Sequence, residues 1–283
     1  MDRTGGLNPK MKTSFSTLAC PDWSLSEVIT AAVRYGYDGL ELRVISNELD
    51  LWNLPEFQPL LLSETNRSIQ DQGLSVVCMG SSAVFHSSSA QERERNLDSA
   101  LRMADVAAGL GAPAIRVFGD RVQAGNGRED TEVWIAESLL KLAERLEPKK
   151  IQVWLETHGD FATASEVSEL VAGISNREVG LIWDPANAFA QSGDSPLIPS
   201  SISDRIRHVH LKDLVREGAG GMRYVLSGEG EFPFETMFAS LHEISFSGFV
   251  SFEWEKLWHS ELSPPEVALP HFTNWWKNAL KRW

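Results

Sequence analysis

Eight short runs of strand-forming residues recur along this chain, and a segment with helical spacing follows each run. A repeated strand–helix unit builds a parallel sheet, because each helix carries the chain back to the start of the next strand. Eight units without a long linker or a break in composition predict a single-domain (β/α)8 TIM barrel, a fold of about 250 residues. The predicted strands cover residues 12–18, 39–44, 75–80, 114–118, 151–156, 179–184, 206–211 and 249–254.

Helix signals occupy the segments between these runs. In a capping box, a hydroxyl and a carboxylate three residues later satisfy each other's backbone N–H groups, and such sequences begin at Ser24, Ser89 and Thr163. The sixth helix has the weakest signals, and we place it around residues 196–203. We expect residues 1–10 to form a flexible N-terminal tail and residues 11–283 to form the barrel domain.

Composition and charge limit the function classes. The net charge of −13 and the pI near 5.0 argue against nucleic acid as a partner, since its binding draws on a basic surface. No apolar stretch approaches the roughly 18 residues of a membrane span, so no membrane partner is expected. Cys20 and Cys78 lie in different predicted units without a CxxC motif, which favours reduced thiols and a cytoplasmic location.

Glu156, Asp184, His210 and Glu253 stand at the ends of predicted strands five to eight. Catalytic groups in a TIM barrel gather at the C-terminal strand ends, so these side chains are expected to be neighbours around half of the rim. Any one of them alone is as readily a capping or salt-bridge residue. Three carboxylates together repel one another, however, and a divalent cation removes that cost. The donor set suits one Mn²⁺, Co²⁺, Mg²⁺, Fe²⁺ or Zn²⁺ ion.

Five segments of the chain resemble a known family. The chain is similar over essentially its whole length to the xylose isomerase-like barrels, which include ketose 3-epimerases, hydroxypyruvate isomerases, inosose dehydratases and endonuclease IV. The order and spacing of the segments carry this resemblance more than any one of them. They read LETHGD at 155–160, WDPAN at 183–187, HVHLKD at 208–213, LSGEG at 226–230 and FE at 252–253.

The resemblance implies that Glu156, Asp184, His210 and Glu253 hold a single metal ion. It further implies that Glu156 and Glu253 are an acid/base pair on opposite faces of the substrate. One glutamate would remove a proton from a carbon next to a carbonyl while the metal stabilises the resulting enediolate. This agrees with physical expectation, because such a carbanion is accessible only if the developing oxyanion is neutralised in place.

Substrate contacts have two interpretations each. His158 follows Glu156 by two residues and points to the same side of an extended backbone, where it contacts a substrate oxygen or orients Glu156. Arg216 matches the position of a substrate-binding arginine in the ketose epimerases. Lys212 lies in a loop that faces the site. The alternative for both cations is a solvated loop charge.

Arg116 ends predicted strand four and His86 follows predicted strand three. Each of them has two interpretations, because its side chain either reaches the centre of the active site or is held in the rim of the barrel. Glu41, in predicted strand two, is interpreted as an interior or rim carboxylate paired with a cation. Asn187 departs from the epimerase pattern, in which a histidine commonly stands three residues after the strand-six aspartate. An amide hydrogen-bonds a hydroxyl but cannot become a cation, which argues against the ketohexose epimerase subclass.

The same position argues against endonuclease IV, which holds three zinc ions and needs that histidine together with an Asp-x-His sequence after strand seven. The sequence therefore predicts a metal-dependent isomerase or epimerase of a small sugar or sugar derivative. A keto-polyol dehydratase of the inosose dehydratase type is the alternative within enzymes. A metabolite-binding barrel without catalysis is the alternative outside them. The expected partner is a carbohydrate or polyol, and the sequence leaves a homo-oligomer open.

Overall fold

A computed structural model describes residues 11–175, 179–217 and 221–281. The predicted tail at residues 1–10 lies outside the described residues. The elements run in the order β1 Lys12–Ser16, α1 Leu25–Tyr35, β2 Gly39–Leu42, α2 Leu62–Gln70, β3 Ser75–Val84, α3 Ala90–Gly109, β4 Ala114–Phe118, α4 Arg128–Leu146, β5 Gln152–Glu156, α5 Ala164–Ala172, β6 Val179–Trp183, α6 Pro185–Ser192, β7 Ile206–Leu211, β8 Asp213–Arg216, β9 Met222–Val225, α7 Phe234–Glu243, β10 Phe249–Phe252 and α8 Pro265–Leu280.

Eight parallel strands close into a barrel in the order β1-β10-β7-β6-β5-β4-β3-β2. Closure is made by β1 and β10, where Ser14 pairs with Ser251. The prediction of a single-domain (β/α)8 TIM barrel is confirmed. Each predicted strand forms within a few residues of its expected bounds, because alternating buried runs between helix signals are local features of the sequence.

A two-stranded antiparallel hairpin of β8 and β9 stands between β7 and α7. The sequence analysis did not predict it. The chain turns back on itself directly after β7, so this insertion belongs to the loops at the C-terminal end of the barrel, where active sites of the fold lie.

The sixth helix is in a different place from the prediction. No α-helix forms at residues 196–203, and α6 begins directly after β6, at Pro185. The side chain of Asp184 accepts hydrogen bonds from the backbone N–H groups of Ala186 and Asn187 at 3.1 and 3.3 Å. Asp followed by Pro is a helix start, since the carboxylate satisfies free N–H groups and proline needs no partner at the first helical position.

Two of the three predicted capping boxes form completely, at Ser24 and Thr163. At Ser89 the hydroxyl accepts the N–H of Glu92, but the Glu92 carboxylate instead accepts a hydrogen bond from Ser87 at 2.7 Å. Within the described part of the chain, no helix is long and apolar enough to cross a membrane. Cys20 and Cys78 are both buried and unpaired, and burial raises the pKa of each thiol.

The hydrophobic core lies between the barrel strands and the surrounding helices. Trp276 of α8 packs into it, 5.5 Å from the ring of Phe238 and 6.0 Å from that of Phe272. This part of the tryptophan-rich C-terminus therefore packs on the barrel itself. The barrel interior also holds charged side chains at its C-terminal end, and a scaffold of packed strands fixes where they meet.

Candidate metal centre and active site

The structure brings together the four predicted metal ligands. Glu156 ends β5, Asp184 and Glu253 directly follow β6 and β10, and His210 is near the end of β7. One donor atom of each lies within 4.8 Å of the others, and all four side chains are buried. His210 Nδ1 faces the carboxylates, 3.3 Å from Glu253 Oε1, 3.7 Å from Asp184 Oδ2 and 3.8 Å from Glu156 Oε2.

Two of these donor atoms fit a cation that binds between them. His210 Nδ1 is buried without a hydrogen-bond partner among the described residues, and Asp184 Oδ2, which also lacks a hydrogen bond of good geometry, has Lys212 Nζ as an ion-pair partner at 2.8 Å. A buried acceptor without a partner costs about 1–3 kcal/mol, and metal coordination removes this cost. Three carboxylates and one imidazole are hard and borderline donors, which suit the divalent ions expected from the sequence.

Glu41 of β2 orients the histidine ligand from across the barrel interior. Its carboxylate lies 3.0 Å from His210 Nε2 and 3.0 Å from His208 Nε2. Burial acts to raise the pKa of Glu41, but the two histidines lower the pKa of this carboxyl below its usual value. An ionised carboxylate only accepts hydrogen bonds, so both Nε2 atoms carry the proton and His210 Nδ1 is left for the metal.

His208 was missed by sequence reasoning. Its signal is the His-x-His spacing on a strand, which turns both rings to the same face, because residues two apart in a strand point the same way. Burial lowers the pKa of His208, and Glu41 acts in the opposite direction. Glu41 fits the interpretation as an interior carboxylate paired with a cation, although the pairing is with two imidazoles.

Two buried cations neutralise the remaining carboxylates. Lys212 Nζ lies 2.8 Å from Asp184 Oδ2, 2.6 Å from Glu253 Oε2 and 2.7 Å from Glu255 Oε1. Burial acts to lower the pKa of Lys212, but these carboxylates raise it well above its ordinary value. Arg116 donates from Nη1 to Glu156 Oε2 at 2.9 Å. Both residues, expected to contact the substrate, therefore contact metal ligands.

The two glutamates of the ligand set have different environments. Burial and the charge of Glu253 raise the pKa of Glu156, although Arg116 opposes this shift. Burial acts to raise the pKa of Glu253 as well, but His210 and Lys212 lower it well below the ordinary value. Two carboxyl groups with unequal proton affinities suit the opposite tasks of an acid and a base.

A cavity of about 90 Å³ opens beside the metal ligands. The structure brings Arg116 and His158 to its wall together with both glutamates of the ligand set. Sequence reasoning did not assign the neighbouring Arg43 or Glu255 to the site. The signal for Arg43 is its place directly after β2. The complete lining is Leu18, Arg43, Arg116, Phe118, Glu156, His158, Glu253, Glu255 and Trp258.

The remaining expected substrate residues do not line this cavity. His86 Nδ1 lies 3.1 Å from the Gly119 carbonyl, which ties the ring into the rim. Asn187 donates its side-chain amide to the Thr157 carbonyl at 3.0 Å. Arg216 is exposed and lies over the ring of Phe189, 5.8 Å from its centroid.

His158 stands at the mouth of the cavity with its side chain 43% exposed. Its Nδ1 is 3.2 Å from Asp120 Oδ1, and its ring packs 4.9 Å from that of Phe118. Burial opposes protonation, but Asp120 and Glu156 raise the pKa of His158. Its partner is therefore Asp120, and the interpretation in which it orients Glu156 has no hydrogen bond to support it in the described structure.

Asp213 organises the glycine-rich loop at residues 226–230. Its carboxylate accepts backbone N–H groups from Gly228 at 2.8 Å, Gly230 at 2.9 Å and Phe232 at 3.2 Å. A Cβ at Gly230 would lie 2.2 Å from Asp213 Oδ1, so only glycine permits this approach. The loop is held against the end of β7 by one buried side chain.

Comparison with known proteins agrees with this fold. Residues 29–279 match the family described as xylose isomerase-like TIM barrel. The chain belongs to this family. A solved structure with a similar fold is the crystal structure of the IolI protein with a bound zinc atom. That structure superposes with a TM-score of 0.81 at 18% identity, covering 96% of this chain and 99% of the other.

Curated relatives cover two kinds of sugar chemistry. An inosose dehydratase of Bacillus velezensis is 31% identical over 122 residues, which are 38% of this chain and 39% of that protein. The putative L-ribulose-5-phosphate 3-epimerase SgbU of Escherichia coli is 23% identical over 266 residues, 90% of this chain and 91% of that protein. The chain spans only 38–53% of the length of the inosose dehydratases it matches.

Proposed function

We propose that the protein is a divalent-metal-dependent isomerase or epimerase of a small sugar or sugar derivative. The observation that carries this proposal is the buried set of Glu156, Asp184, His210 and Glu253, whose donor atoms lie within 4.8 Å of one another and in which His210 Nδ1 lacks a hydrogen-bond partner among the described residues. Arg116 and Lys212 pair with the three carboxylates, whereas His210 Nδ1 faces them without a hydrogen bond of its own, as expected of a histidine that shares a metal ion with them. The zinc atom of the IolI protein supports metal binding, and the identity of the ion stays a prediction.

A divalent ion held by these four residues would polarise adjacent oxygens of the substrate and stabilise negative charge on them. Glu156 and Glu253 then move the proton at the carbon next to the carbonyl, one as base and the other as acid, through an enediolate of the substrate. Arg116 holds Glu156 in place and Lys212 holds Glu253, which fixes both carboxyl groups relative to the cavity. His158, at the mouth, contacts a substrate hydroxyl.

Asn187, His86 and Arg216 keep weaker assignments as substrate residues, because none lines the cavity. They would contact only a substrate that extends beyond the cavity mouth. His86 follows β3, Asn187 lies on α6 and Arg216 ends β8.

Dehydration of a keto-polyol is the second candidate. The inosose dehydratases among the relatives favour it. It begins with the same proton abstraction and ends with loss of a β-hydroxyl group, to which Lys212 or His158 would give a proton. A barrel that only binds a metabolite is a third candidate. Such a protein would have no catalytic activity, and Glu156→Gln would leave its metabolite binding largely intact.

Solvent deuterium exchange tests the proposal. The Mn²⁺-reconstituted protein is incubated in D2O with a panel of ketoses and with inosose, and products are followed by NMR and mass spectrometry. Deuterium at the carbon next to the carbonyl with an epimer or isomer as product supports the proposal. Water loss with an enone or diketone chromophore supports the dehydratase. Exchange should fall by orders of magnitude in Glu156→Gln and Glu253→Gln.

Glu137→Gln, an exposed change on α4, is the matched control and should keep full activity. Metal content measured by elemental analysis in wild type and His210→Ala checks the ligand set independently. One ion per chain that is lost in the variant supports the proposal, and no ion in either protein contradicts it. A carbohydrate or polyol partner, a cytoplasmic location, a homo-oligomer and the extent of the domain at residues 11–283 stay predictions.

A further inference from the structure

Arg43 is a buried cation beside the cavity that is only partly satisfied. It follows β2 directly, is 6% exposed and borders the cavity next to Arg116. Its Nη2 donates to Ser82 Oγ at 2.8 Å. Nη1 is buried without a hydrogen-bond partner, and no ion pair of Arg43 with a carboxylate exists among the residues that the structure describes.

The barrel is shaped to hold Arg43 at this position. Thr17 Oγ1 accepts the backbone N–H groups of Arg43 and Val44 at 2.9 and 3.0 Å. A Cβ at Gly80 of β3 would lie 2.6 Å from Arg43 Cδ and 2.9 Å from Arg116 Nη2. The missing side chain at Gly80 therefore provides the space in which the two arginines lie together.

The other cations at the cavity already have carboxylate partners. Arg116 pairs with Glu156, and His158 pairs with Asp120. Burial and the nearby charge of Arg116 lower the pKa of Arg43 to about 9 against the more distant charges of Glu156, Asp50 and Glu41, which still leaves it a cation at neutral pH. Burying the charge of Arg43 in the cavity wall without an ion-pair partner is unfavourable for folding. A role in ligand binding therefore explains the placement of Arg43 better than a role in stabilising the fold.

We propose that Arg43 binds a carboxylate group of the substrate, so that the protein acts on a hydroxy-ketone acid. This inference rests on the proposed function, because it names the substrate class of the same site. The planar guanidinium fork matches a carboxylate in shape and charge. A dianionic phosphate fits less well, since Glu156, Glu253 and Glu255 border the same cavity.

Acetate binding to the metal-free full-length protein tests this assignment. ¹³C-labelled acetate is titrated in chloride-free buffer and followed by NMR line broadening, with acetamide as the neutral ligand of the same shape. The wild type should bind acetate and not acetamide. Arg43→Gln should weaken acetate binding about tenfold or more, because it removes a charge-assisted contact. Arg121→Gln, at an exposed arginine of the rim, should leave it unchanged.

Equal acetate affinity in wild type and Arg43→Gln, or no acetate binding by the wild type, overturns the proposal. A second variant separates ligand binding from a structural role. Arg43→Met keeps the apolar stem and removes the buried charge, so its thermal midpoint should equal or exceed that of the wild type. A clear fall in the midpoint would assign Arg43 to the fold instead.

These measurements use no metal and no turnover. If acetate binding behaves as expected while no ketose or keto acid exchanges deuterium, the proposed function fails and the anion site stands. If neutral ketoses exchange deuterium rapidly while wild type and Arg43→Gln bind acetate equally well, the proposed function stands and the carboxylate site fails.

Discussion

Replacing Glu41 should weaken metal binding although this residue is outside the ligand set. Its carboxylate accepts from His210 and His208, each at 3.0 Å, and is 1% exposed. In Glu41→Ala, His210 loses the partner that keeps the proton on Nε2. The Nδ1-protonated form of the ring, which cannot bind the metal through Nδ1, then becomes populated. Glu41→Gln keeps one acceptor oxygen but sets an amide donor against the second histidine.

The expected loss in metal affinity is about 10- to 100-fold for Glu41→Ala, the usual effect of removing a carboxylate that orients a histidine ligand. This equals about 1.4–2.8 kcal/mol of binding free energy, at 1.4 kcal/mol for each tenfold change. Glu41→Gln should fall between wild type and Ala, because Oε2 of the native carboxylate serves both rings and one amide oxygen cannot serve both equally well.

Competition between the protein and a fluorescent chelator for Mn²⁺ measures the dissociation constant directly, without any assumption about the reaction. Glu64→Gln, an exposed glutamate of α2, is the matched control. Far-UV circular dichroism checks that each variant is folded. An unchanged Mn²⁺ dissociation constant in folded Glu41→Ala would refute the argument, because His210 would then hold its metal-binding tautomer without Glu41.

Three further predictions concern the surroundings of the centre. Lys212→Met should destabilise the metal-free protein by about 3–5 kcal/mol, as expected when a buried ion pair loses one partner, and bound Mn²⁺ should restore much of this stability. Thermal unfolding with and without Mn²⁺ measures both effects. An equal loss of stability in the two states would contradict the prediction. His158 and Arg121 lower the pKa of Asp120 from 3.8 to about 2. The stability from these two contacts is therefore present above pH 3.8 and is lost as the pH falls through 2, so Asp120→Asn should cost about 2 kcal/mol near pH 6 and much less near pH 2 in urea unfolding. Asp213→Ala should leave several backbone N–H groups of the loop at 226–230 unsatisfied and speed their hydrogen exchange, whereas unchanged protection would show that the loop is held by other contacts.

The fold and the ligand set were predictable because their signals are local. Strand-forming runs, helix caps and a ligand residue at the end of each of four strands are read from neighbouring residues. Asp184 shows the limit of such reading. It has two roles, as helix cap and as candidate ligand, and assigning only the second placed the sixth helix near residue 200 instead of at Pro185–Ser192.

The sequence by itself determined the barrel and brought the four predicted ligands to neighbouring strand ends on the rim. Only the tertiary structure decided what surrounds them. Glu41 and His210 are 169 residues apart, and they meet because β1 pairs with both β2 and β10 when the barrel closes. Arg43 lies beside Arg116 because Gly80 leaves the space for both side chains. Such pairings depend on strand register and on the space across the barrel, and neither is recorded in the order of nearby residues.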